Sequence, residues 1–146
     1  MTLPTLLDDL VVEFWVPGTP IPQGSKRIGR HGKYPVILDD NDKVLRPWRK
    51  TVAAAATFAM QGREPLDCAV CMSLNFVMPR PKSTPKRRTP KAIRKPDLDK
   101  LERSVLDAVT GICVSDDSRV VSLIASKRLA EIGEMPGVHI GLEVEP

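Results

Sequence analysis

Between Pro79 and Pro96 the chain cannot continue as regular secondary structure. This stretch contains five prolines and shows no apolar periodicity. Proline lacks the N–H group that an interior helical turn or a central strand must donate, so neither element can form here. We therefore predict a mobile basic loop at about residues 79–96, within a single domain that spans residues 1–146.

The charge of the chain is concentrated in the same loop. Eight of the 22 lysines and arginines lie between Arg80 and Lys95 without a single acid, so the remaining 14 face 18 acids elsewhere. This asymmetry predicts a polyanionic partner and favours DNA contact, with a solvated linker as the alternative. The bases that we expect to bind the DNA backbone are Lys82, Lys86, Arg87, Arg88, Lys91, Arg94 and Lys95.

Hydrophobic periodicity predicts several strands and two main helices, which together indicate an α+β fold with a single mixed β-sheet. The predicted strands are Leu10–Val16, Cys68–Met78, about Arg119–Arg128, and Val138–Val144. A short apolar run covers Tyr34–Leu38. One helix is predicted from near Arg46 to Met60, with Pro47 in its first turn. The other covers Asp97–Thr110 and carries an apolar stripe. A loop is predicted over Gln23–Lys33.

Several classes of protein and site are disfavoured. No run of 18 apolar residues predicts a transmembrane helix, and the N-terminus carries acids where a signal peptide would carry bases, so we expect a cytoplasmic protein. Three cysteines do not make a disulfide framework. Cys68 and Cys71 have the spacing of half a zinc site, but no second close pair of ligands follows, so ordinary strand packing is favoured.

The acids around the second helix suggest a metal site. Mg²⁺ takes oxygen ligands, and nucleases supply them as two or three carboxylates from different segments. Asp97 and Asp99 would point to nearly opposite sides of a regular helix, so they converge only if Asp97 lies before the helix or at its N-cap, in extended geometry. A strand that starts after Ser115 would then bring Asp117 alongside.

A nearby base supports a nuclease site at this segment, but the acids also have an alternative interpretation. Arg103 lies four residues after Asp99, on the same helix face, where it could stabilise charge on a scissile phosphate. Structural roles are the alternative: Asp97 as a helix N-cap, and Asp116-Asp117 as a turn.

At these residues the chain resembles the RusA family of Holliday junction resolvases. The matching stretch runs from Lys95 to Val121, KPDLDKLERSVLDAVTGICVSDDSRVV, about a fifth of the chain. It contains an Asp-x-Asp, an apolar helix with an Asp-Ala pair, a turn with glycine, and an Asp-Asp before a strand. The basic loop before the Asp-x-Asp and the Lys26-Arg27 pair also agree with the family.

The resemblance implies a homodimer that binds four-way DNA junctions and makes paired Mg²⁺-dependent nicks, with Mn²⁺ as an alternative metal. By position, Asp97, Asp99 and Asp117 match the catalytic, metal-binding carboxylates of the family, and Asp116 is a weaker candidate. Arg103 stands where the family commonly has a catalytic lysine. Arginine keeps the charge but cannot readily donate a proton.

Three other functions compete with this interpretation. A non-catalytic DNA-binding protein of the same fold would bind junctions without cutting them. A broader branched-DNA nuclease would cut several substrates at comparable rates. A protein that uses its basic loop to bind an acidic protein partner would show no preference for nucleic acid.

Overall fold

One mixed sheet and two helices form the α+β fold that the periodicity predicts. The computed structural model describes residues 11–24, 26–39 and 41–146. The elements are β1 (Val11–Pro17), β2 (Lys26–His31), β3 (Tyr34–Asp39), α1 (Asp42–Met60), β4 (Val70–Met78), α2 (Leu98–Val109), β5 (Val120–Leu129) and β6 (Gly137–Val144). Among these described elements, no helix has the length and apolar character needed to cross a membrane.

The four-stranded sheet has the order β1-β6-β4-β5. β4 pairs antiparallel with β6 but parallel with β5. Parallel neighbours require a crossover connection, and here the basic loop and α2 provide it. Strands β2 and β3 form a separate two-stranded hairpin.

The core lies between the sheet and the two helices. On β4 every second side chain is buried, as the alternation predicts: Val70, Met72, Leu74, Phe76 and Met78. Trp48 and Val52 of α1, with Leu101 and Val105 of α2, belong to the same buried cluster. Burial of a large apolar side chain such as Phe76 stabilises the fold by about 1.5–3 kcal/mol.

Two predicted boundaries are wrong. The hairpin β2–β3 occupies part of the Gln23–Lys33 segment that was expected to be a loop, and Gly32 at φ 63° forms its turn. α1 begins at Asp42, so Pro47 lies inside the helix rather than in its first turn. The earlier start buries Leu45, which extends the apolar face of the helix upstream. The predicted first residue of β1, Leu10, lies outside the described residues.

Candidate active site and DNA interface

The direction of the chain through β4, α2 and β5 sorts the predicted site residues into two groups. The basic loop leaves the C-terminal end of β4, α2 runs back along the sheet, and β5 returns parallel to β4. Residues 79–99 therefore lie at the C-terminal edge of these two strands. Residues 110–119 lie at the opposite edge.

Asp97 stands at the N-cap of α2 with extended backbone geometry, φ −69° and ψ 142°. This is the geometry that the sequence required if Asp97 and Asp99 are to converge. The Asp97 side chain makes no capping hydrogen bond, although its carbonyl oxygen accepts one from the Leu101 N–H at 3.2 Å. A purely structural N-cap role therefore does not account for this carboxylate.

The exposed face of α2 carries the other charged residues of this end. Leu101 and Val105 face the core, whereas Asp99 and Arg103 lie exposed on the opposite side, one turn apart. Glu102 lies between the two faces. Partial burial, and then the nearby Asp99 charge, raise the pKa of Glu102 above its ordinary value. Sequence reasoning missed this acid, although its spacing of three residues from Asp99 places it close by.

Lys127 of β5 is hydrogen-bonded to the end of the basic loop, beside Asp97. Its ammonium group donates hydrogen bonds of 2.8 Å to the carbonyl oxygens of both Arg94 and Pro96. Sequence reasoning also missed this residue. The sequence does contain a signal for it, because Lys127 lies two residues after Ala125 and therefore on the same, half-buried face of β5.

The segment that follows β1 lies against the first turns of α2. The Gln23 N–H donates to the Lys100 carbonyl oxygen at 2.9 Å, and the buried Ser104 hydroxyl donates to the Ile21 carbonyl oxygen at 2.7 Å. Arg49 of α1 donates to the Gln23 side chain and, at 2.8 Å, to Asp107. These contacts hold residues 18–24 in place next to the Asp97 end of α2.

An open cavity of about 930 Å³ lies between residues 18–24, the basic loop and the start of α2. Its wall includes apolar groups from Ile21, Met78 and Leu129. Charged residues also line it, among them Lys91 and Asp97. The cavity therefore brings the acidic end of α2 and the basic loop to one surface.

The seven basic residues predicted to bind DNA are all exposed: Lys82, Lys86, Arg87, Arg88, Lys91, Arg94 and Lys95. Arg80, the eighth base of the segment, has a structural role. Its guanidinium donates to the Pro85 and Arg88 carbonyl oxygens at 2.6 and 2.9 Å and to the Thr89 hydroxyl at 2.7 Å. Thr89 in turn donates to Glu131 at 2.6 Å. The mobility of the loop stays a prediction.

Asp117 lies at the other edge of the sheet. It is exposed and begins a short 3₁₀ helix, Asp117–Arg119. Its neighbour Asp116 has a turn role, since it accepts a hydrogen bond from the Ser118 N–H at 3.1 Å, and the hydrogen bonds from Ser118 lower the pKa of Asp116. Arg119 is paired with Asp67 at 2.8 Å. The Asp117 carbonyl oxygen accepts a hydrogen bond from the Val120 N–H, but within the described residues its side chain makes no hydrogen bond or ion pair.

One chain does not bring the three predicted metal ligands together, contrary to the expectation that Asp117 would lie alongside. On β5, Val120 lies next to the Asp117 turn, whereas Lys127 contacts Pro96 beside Asp97. These two positions on the strand are seven residues apart, which is about 23 Å at 3.3 Å per residue. The twelve residues of α2 span about 18 Å. Across the described ranges, no three His, Cys, Asp or Glu side chains are grouped to hold a metal.

The cysteines are also not grouped with other metal ligands in the described residues. Cys68, Cys71 and Cys113 are free thiols, and no grouping of three ligands in the described part of the chain supports a zinc site at Cys68 and Cys71. The Cys71 thiol instead forms a hydrogen bond with Glu145.

Comparison with known proteins identifies the family of the chain. The family model described as endodeoxyribonuclease RusA matches residues 17–143 of the chain. Among curated proteins, no individual sequence matches the chain. The family match includes the basic loop, α2, the Asp116-Asp117 turn and all of the strands except the first six residues of β1 and the last residue of β6. The chain therefore belongs to the RusA endodeoxyribonuclease family.

Proposed function

We propose that this endodeoxyribonuclease is a Mg²⁺-dependent, structure-selective enzyme that resolves four-way DNA junctions by paired symmetric nicks, with Mn²⁺ as an alternative metal. The observation that carries the proposal is the position of the uncapped Asp97 carboxylate at the same edge of the sheet as seven exposed bases. A nuclease needs positive charge to hold the DNA backbone and carboxylates near the bond to be cut.

The basic loop supplies the DNA contacts. Its exposed lysines and arginines attract phosphate groups without reading base edges, so they bind DNA irrespective of sequence. Substrate selection then depends on the shape of the DNA, which suits a branched substrate. Arg80 positions these bases by its hydrogen bonds to the loop backbone.

The start of α2 supplies the carboxylates. Asp97 is the N-cap residue of the helix, and Asp99 lies in its first turn. Arg103, one turn further, would stabilise the negative charge that builds on the scissile phosphate. Asp117, which matches the third carboxylate of the family, does not join them within one chain, so a single chain does not enclose a metal ion with all three.

Two further parts of the proposal concern the assembly and its surroundings. A homodimer would present two equal sites to the two symmetric strands of a four-way junction. The three free cysteines suit the reducing conditions of the cytoplasm, where we place the enzyme.

The test is cleavage of an end-labelled synthetic four-way junction, with and without Mg²⁺, beside linear duplex, flap and fork substrates of the same sequence. We expect paired nicks at symmetric positions that require the metal and are lost in Asp97→Asn. Comparable rates on flaps and forks would instead identify a broader branched-DNA nuclease. Tight junction binding with no cleavage in any divalent metal would contradict the proposal and leave a DNA-binding protein.

A further inference from the structure

Proline rings form much of the wall of the cavity beside Asp97. Half of the 14 prolines of the chain line this cavity, on residues 18–24 and on the basic loop. A proline has no N–H group and a fixed φ, so its ring offers a rigid apolar surface. Several of their carbonyl oxygens already accept hydrogen bonds from side chains, namely those of Pro22, Pro85 and Pro96. These parts of the wall therefore present apolar rings rather than polar groups in need of a partner.

Positive charge accompanies the apolar wall. Four bases line the cavity beside a single acid, Asp97, and they are Lys91, Arg94, Lys95 and Lys100. A ligand that joins a flat apolar ring to a negative charge fits both features, and a nucleotide has this combination in its base and its phosphate. The volume of about 930 Å³ lies within the range of about 300–1,000 Å³ that is typical of small-ligand pockets.

Hydrogen bonds hold the walls of the cavity in place. On one side the Gln23 N–H donates to the Lys100 carbonyl oxygen at 2.9 Å, and on another the Ala130 N–H donates to the Met78 carbonyl oxygen at 2.8 Å. Lys127 holds the end of the basic loop. A site whose walls are already fixed loses little conformational entropy when a ligand enters.

We propose that this cavity takes one unpaired nucleotide of the DNA, with its base between the proline rings and its phosphate at the surrounding bases. The inference rests on the proposed nuclease function and adds a reason for the choice of branched DNA. Extrusion of a base from a duplex costs its pairing and stacking, and the cost is smallest for a base that is already unpaired. Because proline rings do not read base edges, the cavity selects unpaired over paired bases rather than one base type over another.

A fluorescent base tests whether a nucleotide leaves the stack. 2-Aminopurine, whose fluorescence rises when it is unstacked, is placed in turn at each nucleotide next to the branch point of a four-way junction. The full-length protein is added in EDTA. We expect the fluorescence to rise several-fold at a position next to the branch, and to stay constant in a linear duplex of the same sequence. Binding of the junction without a rise at any position would overturn the proposal.

The variant Ala92→Trp tests whether the unstacked base lies in the cavity. Ala92 is a half-buried wall residue, so an indole there occupies the space of the base. We expect the fluorescence rise to disappear and the affinity for the junction to fall by about tenfold, as for the loss of one stacked base. A rise of wild-type size in Ala92→Trp would overturn the cavity as the site of the base.

Ala54→Trp is the matched control, because Ala54 is exposed on α1 and does not line the cavity. It should bind and unstack the junction as the wild-type protein does, and an equal loss in both variants would overturn the assignment. Circular dichroism checks that both variants are folded.

Cross-linking of the wild-type protein locates the base without any substitution. 4-Thiothymidine replaces the nucleotide at the responsive position, and the irradiated complex is digested and mapped by mass spectrometry. We expect cross-links to wall residues such as Ile21 and Ala92. Cross-links confined to residues outside the wall would overturn the proposal.

The nucleotide site and the proposed function can fail separately. A fluorescence rise that is lost in Ala92→Trp, with no junction cleavage by the wild-type protein in Mg²⁺ or Mn²⁺, would contradict the proposed function but leave the nucleotide site standing. Metal-dependent cleavage of the junction without an unstacked base at any position would contradict the nucleotide site alone.

Discussion

The ammonium group of Lys127 lies 2.8 Å from the carbonyl oxygen of Pro96, the residue directly before Asp97. A second hydrogen bond of the same length reaches the Arg94 carbonyl oxygen. A strand side chain thus holds the end of an otherwise exposed basic segment beside the first carboxylate. Lys127 is a positioning residue in this arrangement, since it acts on Asp97 through the backbone.

Replacement of Lys127 by Met should lower kcat on a four-way junction by about tenfold or more, because a small displacement of a reacting group is costly. KM should change by less than about twofold, since the DNA-binding bases are retained. The loss of two charge-assisted hydrogen bonds should reduce the free energy of unfolding by about 1–3 kcal/mol. Steady-state kinetics and urea titration measure these effects.

Lys50→Met is the matched control for Lys127→Met, because Lys50 is exposed on α1 and its replacement removes the same charge. Lys127→Arg, which keeps a donor at this position, should recover part of kcat. An unchanged kcat in Lys127→Met, or an equal loss in Lys50→Met, would show that Lys127 does not position Asp97.

The triple substitution of Lys86, Arg87 and Arg88 by Ala should weaken junction binding without a loss of stability. All three side chains are exposed. If each contacts one phosphate, the slope of log affinity against log salt should fall by about 2.7. Fluorescence anisotropy at several salt concentrations measures the slope.

A second triple variant controls for net charge. Lys43, Lys50 and Arg63 are also exposed but lie on or after α1, outside the basic loop. Their replacement by Ala should leave the slope nearly unchanged. Equal slopes in the two triple variants would mean that the basic loop has no special part in binding.

The two acids of the Asp116-Asp117 pair should behave differently. Asp117→Asn should lower cleavage by at least about a hundredfold, as expected for loss of a group that stabilises the transition state. Asp116→Asn should retain most of the cleavage activity, because Asp116 is engaged with the Ser118 N–H in the turn. Single-turnover cleavage rates compare the two variants, and the reverse order of effects would assign the third carboxylate to Asp116.

Local sequence patterns predicted most of the fold. The alternation of β4 and the apolar stripe of α2 each identify a buried face, so both elements were found with small errors at their ends. The hairpin strand β2 was missed because its sequence, KRIGRH, is basic and contains glycine, which are features typical of a loop. Its strand geometry depends on pairing with β3, which lies outside that local pattern.

The candidate site was only partly predictable for the same reason. The position of Asp97 before α2 follows from Pro96 and the apolar stripe, and the structure confirms it. The separation of Asp117 follows from the parallel pairing of β4 with β5, which fixes the direction of α2 between them. That pairing joins residues about fifty positions apart, so neither it nor the contact of Lys127 with Pro96 is visible in a local pattern.

The three thiols should react in an order set by their burial. Cys113 is fully buried, and burial raises the pKa of its thiol to about 11, so almost no thiolate is present at pH 8. Cys68 is half-buried, and Cys71 is half-buried with a pKa raised by its hydrogen bond to Glu145. We expect iodoacetamide to modify Cys68 first, Cys71 more slowly, and Cys113 only after unfolding.

Peptide mass spectrometry of samples quenched over time, in buffer and in guanidinium chloride, measures this order. Cys71 has a direct control in Glu145→Gln, which removes the carboxylate and should bring the rate at Cys71 closer to that at Cys68. Alkylation of Cys113 in buffer as fast as Cys68 would mean that the region where α2 ends and β4 begins opens readily. Because the Asp117 turn follows Cys113 by four residues, such opening would also displace the segment that carries Asp117.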